Sequence, residues 1–255
     1  MKTILKYDGS FEGFLCSVFY VYEHKLAAIT IEKLKSHKPS FFDNAIVISS
    51  EDIKAKRVWK GLSKKISVSG KSKIYKAFLS EIPNIENTLL YYIQKALSST
   101  NNIEGEFTDP EILHLEKTVK KINREKHRMD AFVRFRLTQD GIYFATVEPD
   151  FDVLPLNAEH FKNRYADQKW LIYDLKRKYG IYYNLDIVQT VTLELNSEIN
   201  HQIKASTYFT IEELQFQELW SNYFKSSNIA TRKNMTLHIK HIPKRYWKYL
   251  SEKNC

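Results

Sequence analysis

The spacing of apolar residues changes period near residue 128, and this change constrains the fold more than any other feature. Before it, apolar residues recur at three- and four-residue intervals, as on amphipathic helices. Phe11, Phe14, Leu15, Val18, Phe19 and Tyr22 form one such stripe. Ile112, Leu115, Val119 and Ile122 form another, with Lys117, Lys120, Lys121 and Arg124 on its polar side. After it, residues 131–137 and 142–147 alternate about Asp140-Gly141, as two strands joined by a tight turn do.

The first half reads as strand 3–7, a turn at Asp8-Gly9-Ser10, and a helix capped by Ser10. A strand that turns through glycine into a helix can aim N–H groups at an anion. With one glycine and no phosphate-loop lysine, a plain turn is the simpler reading. Residues 45–49 predict a strand, and Ser49 or Ser50 caps a helix to about residue 65. Residues 72–97 predict two helices broken near Pro83, and Asp109-Pro110 opens another.

In the second half a two-residue turn pairs Leu137 with Phe144 and Phe135 with Thr146. That register turns Val133, Phe135, Leu137 and Phe144 to the core and Arg134, Arg136 and Tyr143 to the other face. A helix over 157–165 follows, then strands over 170–175, 180–184 and 187–195. A helix over 210–224 opens with a Thr210/Glu213 capping box. The expected class is α+β: a mostly helical N-terminal half and a C-terminal antiparallel sheet of about five strands covered by helices. Residues 1–127 form the helical region with short initial strands. Residues 128–255 form the sheet, its helices and a basic tail, in one compact unit with the first half.

At 255 residues, 43% apolar and 14% aromatic, the chain can bury a sizeable core. No run approaches the roughly 18–20 apolar residues of a membrane span, so no membrane partner is expected. The N-terminus lacks the apolar core of a signal peptide. Cys16 and Cys255 are the only cysteines, too few for a disulfide framework or a cysteine zinc site, and a reducing cytoplasm fits. His238 and His241 lack acidic or cysteine neighbours, so neither metal nor cofactor is expected.

The net charge of +9 is unevenly distributed. Residues 54–76 hold nine Lys/Arg and no acid, and residues 225–253 hold eight Lys/Arg and one acid. The remainder is therefore about −7. Polyanions bind such patches by releasing counterions. Arg134 and Arg136, with Phe132 and Tyr143, could form a basic aromatic platform, or an ordinary solvated sheet face. In the tail, Lys240, Lys244, Arg245 and Lys248 alternate with Tyr246, Trp247 and Tyr249. That pattern suits nucleic-acid contact, or a tail whose Trp docks in the core while its cations stay solvated.

Residues 148–184 crowd aromatics around His160, Arg164, Asp174 and Arg177. A histidine beside a carboxylate and arginines can be a general base or a phosphate clamp. The same groups can be an ion-pair network locking a helix to a sheet. HExxH, CxxC, GxSxG, GxGxxG and GxxxxGK[ST] are absent from the sequence.

The segments YDGSFEGFL (7–15), RVWKGL (57–62), HRMDAFVRFR (127–136), EPDFDVLPLNAEHFKNRYADQKWLIYDLKRKYGIYYN (148–184) and HIPKRYWKYL (241–250) resemble a bacterial family of DNA-metabolism proteins. The core domain of that family is of unknown function. The resemblance implies a DNA repair or modification setting with a radical-SAM partner, and a frequent fusion to a uracil-DNA-glycosylase-superfamily domain. Any base-excision chemistry is then expected in another polypeptide. The cysteine cluster of a radical-SAM enzyme is not in this sequence. Three readings follow: a DNA-binding or adaptor protein acting with the radical-SAM partner; an enzyme acting on damaged or modified DNA through a His/Asp/Arg site; and a protein-only scaffold.

Overall fold

A computed structural model of the chain describes residues 3–34, 44–192, 209–213, 215–216, 219, 235–250 and 253. The chain divides into two compact units, Met1–Asn123 and Arg124–Cys255.

In the first unit β1 (Thr3–Tyr7) is central to a three-stranded sheet, paired in parallel with β2 (Ile29–Lys33) and β3 (Asn44–Val47). Parallel neighbours need a crossover, and α1 (Phe11–Glu23) supplies it between β1 and β2. Ser10 starts α1 by accepting a hydrogen bond from the Gly13 N–H. Of the expected stripe Phe14, Leu15 and Val18 are buried and Phe11 and Phe19 half-buried, while Tyr22 is exposed and Val21, outside the stripe, takes its place in the core. There follow α2 (Asp52–Leu62), α3 (Val68–Phe78) and α4 (Ile85–Ser98), the last two separated around Pro83 as the sequence predicts. Ser50 does not cap α2. Glu51 is its N-cap residue, without a side-chain cap bond, and the Ser50 hydroxyl donates to Asp8 instead. Phe11 centres an aromatic cluster, with ring centroids 5.1 Å from Tyr75, 5.1 Å from Phe78 and 5.3 Å from Trp59.

The long helix α5 (Pro110–Phe132) gives its first part to one unit and its last part to the other. In the second unit β4 (Arg136–Leu137), β5 (Tyr143–Val147), β6 (Trp170–Asp174), β7 (Tyr179–Tyr183) and β8 (Val188–Val191) form one sheet in sequence order. The expected five strands are present among the described residues, but the sheet is mixed rather than antiparallel. β5 and β6 run parallel because α6 (Leu154–Arg164) crosses between them. α7 (Met235–His241) and a 3-10 helix (Lys244–Tyr249) starting after Pro243 complete the described chain. Among the described residues no helix is long and apolar enough to cross a membrane.

The β4–β5 register differs from the expected one by a residue. Arg136 opposes Phe144 and Leu137 opposes Tyr143. The cause is the turn: Thr138 and Ile142 close it with a 3.0 Å backbone bond, leaving three residues at the tip, with Gly141 left-handed at φ 72°. Such loops are favoured when glycine occupies the last position. Opposed residues share a face, so Tyr143 sides with Leu137, Trp170 and Ile172, while Phe144 sides with Arg136. Arg134 is not in the sheet at all.

Thr210 accepts from the Glu213 N–H, which is half of the expected capping box. The Glu213 carboxylate is used elsewhere, accepting from the Leu137 N–H at 3.1 Å. The rest of the predicted 210–224 helix, and residues 193–195 of the predicted last strand, fall largely or wholly outside the described residues.

Candidate functional site

Asp174 ends β6 with no exposed surface. One carboxylate oxygen accepts from the backbone N–H groups of Lys176 (2.8 Å) and Arg177 (3.1 Å), and the other pairs with the Arg177 guanidinium at 2.7 Å. Arg177 then donates to the carbonyls of Pro149 and Asp150, both at 3.2 Å, and Lys176 Nζ donates to Asp150 O at 3.1 Å. Tyr179 donates to Asp152, and burial together with that carboxylate pushes its phenol well above the usual range. This group of residues holds the 148–152 loop against the β6–β7 turn.

His160 and Arg164 belong to the second half of α6. In a strand–helix–strand crossover that half lies toward the start of β6, whereas Asp174 lies at its end. The His160 ring packs edge-on to Phe161, and Arg164 is exposed beside Tyr165. The structure thus joins Asp174 to Arg177, and among the described residues no hydrogen bond links either to His160.

The tail is docked through its cations and phenols. Glu125, buried on α5, accepts from Tyr246 OH at 2.5 Å, from Arg245 at 2.9 Å and from the Asp150 N–H at 3.0 Å. Arg245 also pairs with Asp150 at 2.8 Å. Lys248 pairs with Glu148, which accepts from Tyr249 OH at 2.7 Å. Those two bonds hold the Glu148 carboxyl below the usual glutamate range. Burial, then Glu125, pushes the Tyr246 phenol up. Trp247 is half-buried and donates to Ile242 O at 2.9 Å. Arg245 and Lys248 therefore answer internal acids, while Lys240 and Lys244 are exposed and meet no carboxylate among the described residues.

Arg134 donates to the carbonyls of Ala131 (2.8 Å) and Val133 (3.3 Å), closing the C-terminal end of α5. Arg136 lies with its guanidinium 4.3 Å from the Phe209 ring centre, and burial lowers its pKa. Its sheet row continues through Phe144, Leu171, Tyr182 and Gln189. Phe132 does not join that row; its ring packs on Tyr246.

The first unit carries two features of chemical interest. At the carboxyl ends of β1 and β3, Asp8 accepts from Ser10 Oγ (2.6 Å) and Ser50 Oγ (2.7 Å) beside the start of α1. These hydroxyls lower the Asp8 pKa against a desolvation that raises it. A cleft of about 140 Å³ lined by Cys16, Tyr20, Ser49 and Lys54 opens nearby. The ends of parallel strands where the order reverses are the usual ligand crevice of such sheets, and missing β2 hid this from sequence reasoning. The second feature is the 54–76 stretch. Among the described residues Lys54, Lys56 and Lys73 of its nine cations pair with carboxylates, those of Glu51, Asp52 and Glu116. Arg57, Lys60, Lys64, Lys65, Lys71 and Lys76 meet no carboxylate among those residues. Among the described residues no cluster of three metal-ligating side chains occurs.

No curated protein sequence matches the chain. A solved structure of a pGpG-specific phosphodiesterase, PggH, from Vibrio cholerae aligns over 86% of this chain and 96% of its own. Its TM-score is 0.33 at 9% identity, a likeness that carries no weight for fold or function. A family model described as a domain of unknown function, DUF4130, matches residues 83–252, about two thirds of the chain, and the protein belongs to that family.

Proposed function

We propose that the protein binds nucleic acid, as a DNA-binding or adaptor component of DNA repair or modification that works with a radical-SAM partner in the cytoplasm. The observation that carries this reading is the excess of exposed cations that meet no carboxylate among the described residues: Arg57, Lys60, Lys64 and Lys65 around α2, and Lys240 and Lys244 near the tail. Solvated cations of this kind neutralise phosphates and release counterions. The sequence resemblance to DNA-metabolism proteins supplies the setting and the partner. The alternative, an enzyme using His160, Asp174, Arg164 and Arg177, has less support, because the Asp174 carboxylate is enclosed by Arg177 and two backbone N–H groups.

The test is fluorescence anisotropy with single- and double-stranded DNA between about 50 and 200 mM salt. Affinity is expected to fall steeply and linearly on a log–log plot. No binding at the low end, or binding indifferent to salt, would reject the reading. Capture of the radical-SAM protein in nuclease-treated extract, with no DNA affinity of the purified chain, would favour a protein-only scaffold instead.

A further inference from the structure

Gly61 sits in the last turn of α2, where a Cβ would meet nothing within 4 Å. Its φ is not in the left-handed region, so neither backbone nor packing requires glycine. Alanine is the better helix former at such a position. The other glycines inside elements differ. A Cβ at Gly13 would come 2.4 Å from Asp8, at Gly70 2.8 Å from Glu104, and at Gly180 2.8 Å from the Ile172 carbonyl.

What surrounds Gly61 is charge. At 100° per residue, positions 57, 60 and 61 share an arc of about 100° on α2, and Lys64 lies in the turn just past its end, its N–H bonded to the Gly61 carbonyl. Arg57, Lys60 and Lys64 are exposed and meet no carboxylate among the described residues. Arg57 is steadied by the Phe19 ring, 5.6 Å from its guanidinium carbon. Nearby, Lys71 Nζ stands 4.4 Å from the Trp59 ring centre and donates to Ser63 Oγ at 2.7 Å. Glycine is the residue that lets a ligand approach the main chain closely, and Arg and Lys are the residues that meet phosphate.

We propose that the face of α2 around Gly61 is a binding site for the phosphodiester backbone of nucleic acid, with Gly61 giving clearance and Arg57, Lys60 and Lys64 giving charge. The proposal rests on the nucleic-acid reading above and adds the place and mode of contact. A membrane surface fits less well. The face has two isolated apolar side chains nearby, Ile53 and Val68, rather than a continuous apolar stripe.

The experiment compares the full chain with Gly61→Ala, with Lys60→Gln/Lys64→Gln, and with a charge-matched control on α5, Lys120→Gln/Lys121→Gln. Binding to a short labelled DNA is measured by anisotropy across salt, sedimentation with phosphatidylserine vesicles is measured in parallel, and urea midpoints report folding. Gly61→Ala should raise the urea midpoint yet weaken DNA binding. Lys60→Gln/Lys64→Gln should weaken it by about tenfold and reduce the salt slope by roughly 1.4–1.8, two phosphates' worth. The control should change both far less.

Equal losses in the control and the α2 pair would overturn the site, as would unchanged DNA affinity in Gly61→Ala. Vesicle binding lost in the α2 pair while DNA binding persists would assign the face to lipid and overturn it too. Wild type failing to bind any DNA removes the underlying reading. Wild type binding while all α2 variants bind equally well removes this inference alone.

Discussion

Removing the Asp174 carboxylate tests whether the 148–184 segment is a clamp. Asp174 is wholly buried, and its Arg177 partner keeps only 9% of its side chain exposed. Asp174→Ala strips the acceptor from two backbone N–H groups and from a guanidinium 2.7 Å away. Breaking a buried ion pair from one side costs about 3–5 kcal/mol. Arg177 would keep the carbonyls of Pro149 and Asp150, which pulls the figure toward the lower end of about 3 kcal/mol. With a urea m value of about 2 kcal/mol/M, the midpoint should fall by roughly 1.5 M. Arg177→Ala leaves a buried carboxylate with backbone donors alone and should cost about as much or more, toward 5 kcal/mol. The two losses should not add: the double variant should recover about 1–3 kcal/mol relative to their sum. Urea titrations of the four proteins, followed by far-UV circular dichroism, measure all of this. An Asp174→Ala loss under about 1 kcal/mol, or strict additivity, would refute the clamp and leave Asp174 available for chemistry.

Two further outcomes follow from the second unit. Gly180→Ala should destabilise by about 1–3 kcal/mol, since the new methyl would sit 2.8 Å from the Ile172 carbonyl and 3.0 Å from Leu171 Cδ1; an unshifted urea midpoint would show that β6 and β7 are not so tightly paired. Glu148 has a depressed carboxyl pKa, set by the bonds from Lys248 and Tyr249. Its contribution is therefore complete above the unfolded glutamate pKa of about 4.3 and is lost as pH falls through the lower folded value. The stability gap between wild type and Glu148→Gln should accordingly narrow from neutral pH toward pH 3, and a constant gap would contradict the assignment.

Local rules located most elements, because their causes are local. Ser10 and Asp109 at helix starts, the break at Pro83 and the alternation of residues 143–147 each act within a few positions. What escaped depends on partners distant in sequence. Residues 29–33, ITIEK, carry no strong turn signals, and they become a strand by pairing in parallel with β1. The β5–β6 pairing follows from α6 crossing over the sheet, not from any residue in either strand. The hairpin register turns on a single tip residue: Asp140-Gly141 predicts a two-residue turn, but Gly141 in the left-handed region closes a three-residue one. That slip exchanged the faces of Tyr143 and Phe144, and with them the aromatic neighbours of Arg136.

The same distinction governs the charges. Counted along the chain, residues 54–76 and 225–253 are nearly equal polyanion candidates, at net +9 and +7. Among the described residues they are not equivalent. Arg245 and Lys248 are answered by Glu125, Asp150 and Glu148, acids about a hundred positions away that no local window could pair with them. Around α2 the answering acids among the described residues are Glu51 and Asp52, at the start of the same helix, and they pair with Lys54 and Lys56. A helix that is acidic in its first turn and basic in its last is what the helix dipole favours, so sequence alone would class α2 as an ordinary solvated helix. Gly61 breaks that explanation, because the dipole accounts for the lysines and not for a glycine in the turn they occupy. The charge available to a partner is what remains after the fold has paired its own, and around α2 that remainder coincides with a helix position whose glycine has no use inside the fold.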